Sequence, residues 1–170
     1  GGEDGTEGDE NILYGTMTYI DDEQKHSNEE MEKNRDSLTH VLNSESLNRF
    51  ADEYIGTAPA DFIPNLIRVD VDDYDDWKEI NSNISSEGVL VELARILKRA
   101  FRGSDLIGRI GKDRFAILMK GIRSVNILEE RAAYVGQTVR DVWKEMGGAI
   151  TVSIGITVMN RKGASAEALY

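Results

Sequence analysis

The chain has 170 residues, 40% of them hydrophobic, which is enough to bury the core of one domain and leave an appendage. It has no cysteine, which excludes disulfides and thiolate metal sites. The formal net charge of −11 is uneven, because residues 1–36 hold 12 acidic and 3 basic residues whereas residues 37–170 hold 19 and 17. This balance argues against binding to polymeric nucleic acid but is compatible with a small nucleotide. No apolar run has the length of a membrane span and no signal peptide opens the chain, so we expect a cytoplasmic protein.

The first 36 residues predict an extension ahead of a globular domain. Residues 1–10 are rich in glycine and acidic residues, a composition typical of disorder. Residues 11–20 have strand composition and are followed by an acidic pair and a polar helix, an order that resembles the end of a PAS-like sensor domain and its linker. We therefore expect a tail and last strand over residues 1–20, a linker helix over 21–36 and a globular domain over 37–170.

The globular part shows the periodicities of helix, strand, helix, strand, strand, helix and strand, in that order. The predicted helices are Glu45–Ile55 with Ser44 as N-cap, Ser85 or Ser86 to Arg102, and Val125–Met146. The predicted strands are Phe62–Asp72, a hairpin centred on Ile110–Phe115, and Ala149–Met159. The apolar run that ends the first strand indicates burial on both faces, and hence a central position. This order predicts an α+β fold with one mixed or antiparallel sheet flanked by helices.

Four segments match a known family in order and spacing. They are R-D-S-L-T-H-V-L-N at 35–43, D-V-D-D-Y at 70–74, G-K-D-R-F at 111–115 and T-V-S-I-G at 151–155. On these segments the chain resembles the GGDEF domains of diguanylate cyclases, which join two GTP molecules into cyclic di-GMP. The resemblance implies a fold like that of nucleotidyl cyclase palms, in a chain that stops before the family's last helix.

The resemblance also implies metal-binding positions and shows a change beside them. Asp70 and Asp113 match the acids that hold two magnesium ions, and Val71 matches the backbone ligand. Arg114 stands where the family has a glutamate that assists loss of the 3′-hydroxyl proton. Two unit charges ~4 Å apart at an effective dielectric of ~20 interact by ~4 kcal/mol, so Arg114 opposes the metals. A guanidinium cannot act as a general base either.

The nucleotide-binding positions differ as well. Lys112 stands where the family's second glycine lets the backbone approach the nucleotide, Lys78 aligns with a guanine-reading Asn, and Glu87 aligns with a guanine-reading Asp. Asp75 aligns with a phosphate-contacting Lys. A lysine has no acceptor and cannot repeat the paired bonds of an amide. We therefore expect no catalysis and no cofactor, with Mg²⁺ relevant only to residual GTP binding.

The introduced charges have two interpretations. In the first, Arg114 takes the place of magnesium by pairing with Asp70 or Asp113 and closes the former metal site. In the second, the charges are solvated surface residues, and each pair contributes little to stability.

Arg102 and Asp105 have the R-x-x-D form of the family's inhibitory site, where the product binds away from the active site. An arginine can donate two bonds to O6 and N7 of guanine, and a carboxylate can accept from N1 and N2. A second arginine usually completes that site, and Arg131 is the candidate. The alternative is that these residues only cap a helix and a strand.

These features predict an inactive GGDEF domain that acts as a regulatory module, with cyclic di-GMP as a ligand through the R-x-x-D residues. The alternatives are an interaction or dimerisation module that binds no nucleotide and, third, a working cyclase. The expected partners are a sensor domain at the N-terminus of the same chain and a weak second copy. The weakness follows from the linker, Asp22–Arg35, in which only Met31 is clearly apolar.

Overall fold

The computed structural model of the protein describes residues 31–80, 85–145 and 150–160, together with Lys25 and Glu29. The chain forms two compact units, Gly1–Asn34 and Arg35–Tyr170. In the first unit Lys25, Glu29 and residues 31–33 are helical and exposed, at positions within the predicted linker helix. The tail and strand predicted for residues 1–20 lie outside the described residues.

In the second unit the described residues form a five-stranded sheet. Its strands are β1 (Leu42–Asn43), β2 (Asn65–Val71), β3 (Leu106–Gly111), β4 (Arg114–Leu118) and β5 (Val152–Val158), in the spatial order β1-β3-β4-β2-β5. β1 pairs with β3 in parallel, and the β3–β4, β4–β2 and β2–β5 pairs are antiparallel. The sheet is therefore mixed, and β2 lies inside it as its apolar run predicts.

Four helices flank the sheet in the described ranges: α1 (Ser44–Thr57), α2 (Tyr74–Ile80), α3 (Ser86–Ala100) and α4 (Val125–Glu145). The N-cap predicted for α1 is wrong, because Asn43 rather than Ser44 caps the helix by accepting from the backbone N–H of Ser46 at 2.9 Å. Ser85 caps α3 and accepts from Gly88 N at 3.2 Å, as predicted. None of the described helices has the length and apolar character needed to cross a membrane.

The helices pack on the sheet around one hydrophobic core. α1 contacts β3 at Gly108, where an added Cβ would lie only 2.7 Å from the Leu47 side chain, so this close approach requires glycine. α4 packs against both β5 and α3 and buries Leu128, Val139 and Trp143.

Candidate functional site

The end of β2 and the hairpin between β3 and β4 form one site. The β2–β4 register places Asp70 opposite Arg114, and the backbone N–H of Val71 donates to the carbonyl oxygen of Asp113 at 3.0 Å. Lys112 and Asp113 form the turn between the two hairpin strands. The structure therefore brings together five of the residues predicted from the sequence: Asp70, Val71, Lys112, Asp113 and Arg114.

The Asp70 carboxylate is held mainly by Arg68, which the sequence analysis did not single out. Arg68 Nε lies 3.2 Å from each carboxylate oxygen of Asp70, and its Nη2 lies 3.1 Å from Oδ2. Arg114 Nε lies 3.8 Å from Asp70 Oδ1, which is an ion-pair distance but too long for a hydrogen bond. The alternation of side chains along a strand is the signal that could have identified Arg68, because residues i and i+2 lie on the same face.

At the hairpin tip, Lys112 forms a hydrogen-bonded ion pair with Asp75 on α2. That hydrogen bond raises the pKa of Lys112, and its Nζ lies 5.8 Å from the centroid of the Tyr74 ring. Lys78 on α2 and Glu87 on α3 are exposed, and neither makes a hydrogen bond or ion pair with another described residue. The structure thus joins Lys112 to Asp75 and leaves Lys78 and Glu87 apart from the hairpin.

Arg109 ties the hairpin to the turn that precedes β1. Its Nε and Nη2 donate to the carbonyl oxygens of Gly111 at 3.1 Å and Lys112 at 2.6 Å, and its Nη1 lies 3.2–3.3 Å from both carboxylate oxygens of Asp36. The backbone N–H and hydroxyl of Thr39 donate to the same carboxylate at 2.9 and 2.7 Å. Burial alone would raise the pKa of Asp36, but these hydrogen bonds and the charge of Arg109 together lower it below 3.8. The sequence analysis missed this pair, whose members are distant in the chain.

The R-x-x-D segment forms a closed loop after α3. The Asp105 side chain is fully buried, and its two carboxylate oxygens accept from the backbone N–H groups of Arg102 and Lys120, each at 3.0 Å. The Arg102 side chain is 63% exposed, with Nη2 3.6 Å from Asp105 and 2.6 Å from the carbonyl oxygen of Lys120. Asp105 therefore holds the loop to the chain after β4, as the capping alternative predicts, while most of the Arg102 guanidinium stays accessible.

A cavity of about 460 Å³ opens beside this loop. Arg102, Asp105 and Arg131 all line it, so the structure brings together the three residues proposed for the inhibitory-type site. Arg99 adds a third guanidinium, and Met119, Ile122 and Ile127 supply apolar walls. The guanidinium carbon of Arg131 lies 5.6 Å from the centroid of the Tyr134 ring. This is a concave, cationic site of the size that small-molecule ligands occupy.

Comparison with known proteins agrees with this geometry. The family model described as "Diguanylate cyclase, GGDEF domain" matches residues 33–170. The chain belongs to the GGDEF family. No match was found among curated protein sequences.

Solved GGDEF domains have the same fold. The coiled coil and GGDEF domain of DgcB from Caulobacter crescentus, solved in complex with c-di-GMP, superposes with a TM-score of 0.72 at 18% identity, covering 94% of this chain and 87% of that one. A sensory box/GGDEF family protein from the same organism gives 0.64 at 25% identity, covering 80% and 90%. The GGDEF domain of TpbB (YfiN) from Pseudomonas aeruginosa gives 0.68 at 20% identity, covering 79% and 81%.

The donor set at the signature turn does not fit the magnesium ions that the GGDEF family implies. Magnesium requires carboxylate oxygens free to point at the ion in near-octahedral geometry. Here both oxygens of Asp70 face the Arg68 guanidinium, and Arg114 adds a second cation on the same carboxylate. The bond from Val71 goes to the backbone carbonyl of Asp113 and not to its carboxylate, so the misfit rests on Asp70. Within the described residues, no three acidic or histidine side chains are grouped in the manner of a metal site.

Proposed function

We propose that this GGDEF domain does not synthesise cyclic di-GMP and serves as a regulatory module. The observation that carries the proposal is the engagement of Asp70 by Arg68, with Arg114 alongside. A carboxylate that is already paired with a guanidinium must lose that pair before it can hold a metal ion. Asp70, one of the two carboxylates that the resemblance assigns to the metals, is thus paired with the chain's own cations.

The position of Arg114 supports the same conclusion from the chemistry of proton transfer. Its guanidinium stays protonated, so it cannot accept the proton of the attacking 3′-hydroxyl. It also lies on the side of β4 that faces Asp70, where two dications would have to be bound. Like charges at this separation oppose both the metals and the substrate-bound state.

The hairpin tip argues against tight GTP binding. Lys112 extends a long side chain to Asp75 in the first turn of α2, whereas the family resemblance implies a backbone approach to the nucleotide at position 112. Asp75 places a negative charge at the position that the resemblance assigns to a phosphate-binding lysine. A triphosphate would therefore be repelled by the Asp75 carboxylate, and the Lys112 ammonium would already be paired with Asp75.

A second proposal concerns the ligand, and the cavity beside the R-x-x-D loop favours it. Arg102, Arg131 and Arg99 converge there around an apolar wall, an arrangement suited to a planar guanine and a phosphate. The DgcB GGDEF domain was solved with c-di-GMP bound. In the present chain we assign the ligand contacts to Arg102 and Arg131, since the carboxylate of Asp105 is buried and used by the loop.

Calorimetric titration with cyclic di-GMP and, separately, with GTP and magnesium tests both proposals. A regulatory receptor binds cyclic di-GMP and not GTP, an interaction module binds neither, and a working cyclase binds GTP with magnesium and releases cyclic di-GMP. Chromatography of the GTP reaction supplies the second readout. Any turnover to cyclic di-GMP by the unmodified chain would contradict the proposal of an inactive domain.

A further inference from the structure

The strand β5 forms an open edge of the sheet. On one side it pairs with β2 over its whole length, and within the described residues no strand pairs with its other side. The register between β2 and β5 has no shift, whereas the β3–β4 pair has one between Arg109 and Gly111. A regular edge strand of this kind presents an unbroken row of backbone N–H and C=O groups that have no strand partner.

Two backbone hydrogen bonds that flank β5 fix which of its residues face the open edge. The N–H of Asp72 donates to the carbonyl oxygen of Thr151 at 2.9 Å, and the N–H of Met159 donates to that of Pro64 at 3.1 Å. Along an antiparallel strand, alternate residues bond to the same neighbouring strand. The odd-numbered residues of β5 therefore bond to β2. The even-numbered residues direct their N–H and C=O groups to the open edge: Val152, Ile154, Ile156 and Val158.

The sequence of β5 lacks the features that usually prevent an edge strand from pairing. Natural edge strands are protected by charged side chains, proline or bulges, or by being very short. The strand β5, V-S-I-G-I-T-V, has seven residues and contains neither a charged residue nor a proline. The strand at the opposite edge, β1, has only two residues. Of these two edges, β5 is therefore the one suited to bind another strand.

The sequence of β5 also reads nearly the same in both directions from Gly155. Isoleucine lies on both sides of this glycine, followed by serine on one side and threonine on the other, and then by valine on both sides. Strand alternation alone would match apolar with apolar residues, but here the matched residues also agree closely in size. Two antiparallel copies centred on Gly155 would place Ile154 opposite the partner's Ile156. Both residues direct their backbone groups to the open edge, so this register permits hydrogen bonding.

We propose that the open edge of β5 binds a second copy of this chain, as an antiparallel pair of β5 strands centred on Gly155. The pair would form about eight backbone hydrogen bonds, two for each of four hydrogen-bonded residue pairs. The contact is self-complementary and closes at two copies, because the β1 edges left outside are too short to continue the sheet. Residues 37–170 hold 19 acidic and 17 basic residues, a net charge of −2, so repulsion between the globular parts is small.

The proposed dimer is weak and does not depend on the proposed function. Two seven-residue strands make a small interface, of the class found in transient complexes. The strand pair uses none of the residues assigned to the signature turn or to the R-x-x-D loop. Loss of cyclic di-GMP binding, or synthesis of cyclic di-GMP, would therefore leave this proposal standing.

Gly155 provides a direct test, because it lies at the centre of the proposed pair. It is exposed, and an added Cβ would have no other atom within 4 Å. Its own N–H and C=O face β2, so the two glycines would form a non-hydrogen-bonded pair with their Cα atoms about 4.5 Å apart. This separation lies within the range of about 4.4–6.8 Å that a disulfide spans. A cysteine at this position should therefore link the two copies.

The first experiment is disulfide crosslinking of the full chain with oxidised glutathione as the oxidant. The chain has no cysteine of its own, so Gly155→Cys introduces a single thiol. The matched control is Thr157→Cys, which is exposed on the same face of β5. In the proposed register the two Thr157 residues lie about 13 Å apart, four residues along the strand, which is too far for a disulfide. We expect a covalent dimer from Gly155→Cys only, and equal crosslinking of both variants would overturn the proposal.

The second experiment is sedimentation equilibrium over a series of protein concentrations. Gly155→Glu places two carboxylates directly opposite each other, which should weaken the dimer about fivefold at low salt and less at high salt. The matched control is Gly56→Glu, at an exposed glycine of α1 where an added Cβ also has no atom within 4 Å. Circular dichroism of both variants should match the wild type. A wild type that stays monomeric at every concentration, or equal weakening by the two substitutions, would overturn the proposal.

Discussion

Replacing Asp70 with Asn should change the free energy of unfolding in opposite directions for two roles of this carboxylate. It should be lowered if arginines hold the carboxylate, and raised if the carboxylate belongs to an empty metal site. In a metal site without its ion, clustered acids repel, and neutralising one of them stabilises the fold. In this structure Asp70 accepts from Arg68 at 3.1–3.2 Å and lies 3.8 Å from Arg114. Removing its charge should therefore lower the free energy of unfolding.

The size of the loss follows from the exposure of the pair. Hydrogen bonds to charged groups contribute about 1.5–3 kcal/mol when buried, whereas exposed ion pairs contribute about 0–1 kcal/mol. The side chains of Arg68 and Asp70 are 36% and 29% exposed, between these two cases. We expect a loss of about 1 kcal/mol for Asp70→Asn, which lowers the midpoint of thermal unfolding by about 2–4 °C in a domain of this size.

The assay is chemical and thermal unfolding of Asp70→Asn, Arg68→Met and the double variant, each with and without magnesium. The double variant should lose less than the sum of the single losses, with a coupling of about 1 kcal/mol. The control is Glu130→Gln, an exposed acid on α4, which should stay within about 0.5 kcal/mol of the wild type.

Magnesium provides the second arm of this test. A site with a Kd of about 1 mM would add about 1.4 kcal/mol of stability at about 10 mM ion, and we expect no such gain at matched ionic strength. A more stable Asp70→Asn variant would refute the assignment of Arg68 as its partner. So would a magnesium-dependent gain in the wild type that disappears in Asp70→Asn.

Four other measurements test the remaining conclusions. Arg114→Glu alone should not restore synthesis of cyclic di-GMP from GTP, because Arg68 still engages Asp70, and chromatography of the reaction checks this. Arg102→Ala should weaken binding of cyclic di-GMP by about 1–3 kcal/mol in calorimetry, the usual cost of losing a bidentate guanine contact; an unchanged affinity would place the ligand elsewhere. The lowered pKa of Asp36 contributes stability that is present above its ordinary value of 3.8 and lost as pH falls through the lower folded value. Asp36→Asn should remove that part of the acid sensitivity in unfolding curves measured below about pH 5. Sedimentation at two salt concentrations should show a monomer or weak dimer at low salt, because the acidic linker residues 22–35 repel in a parallel pair; a tight dimer at both concentrations would contradict this.

The elements that the sequence predicts well are those set by local pattern. β2, β4 and β5 follow apolar runs or alternation, and α3 and α4 follow a helical stripe with a clear start, so each was placed within a few residues. β1 and α2 were not predicted. β1 has only two residues and exists because it pairs with β3, more than 60 residues later, while α2 has only seven residues and is too short for a periodic signal.

The site shows the same division between local and distant information. The hairpin turn is local, but the expectation that Asp70, Asp113 and Arg114 meet comes from the family resemblance, and the register between β2 and β4 brings them together. Strand alternation places Arg68 on the same face as Asp70, but which arginine forms the hydrogen bonds depends on side-chain placement that alternation does not encode. Arg68 rather than Arg114 forms the hydrogen bonds with Asp70, and Asp105 accepts from backbone groups on both sides of a loop.

The two ends of the hairpin differ in how far their charged side chains are already paired within the chain. At the tip, Arg68 is paired with Asp70, and Lys112 is paired with Asp75. Just before β3, Asp105 is also bonded within the chain, but the Arg102 side chain remains 63% exposed beside the cavities that it lines. A charged group that is already paired must give up its partner before it binds a ligand, whereas Arg102, although its Nη2 donates to the carbonyl oxygen of Lys120, keeps other guanidinium donors. We therefore expect ligand binding by this domain to depend on Arg102 rather than on the signature turn.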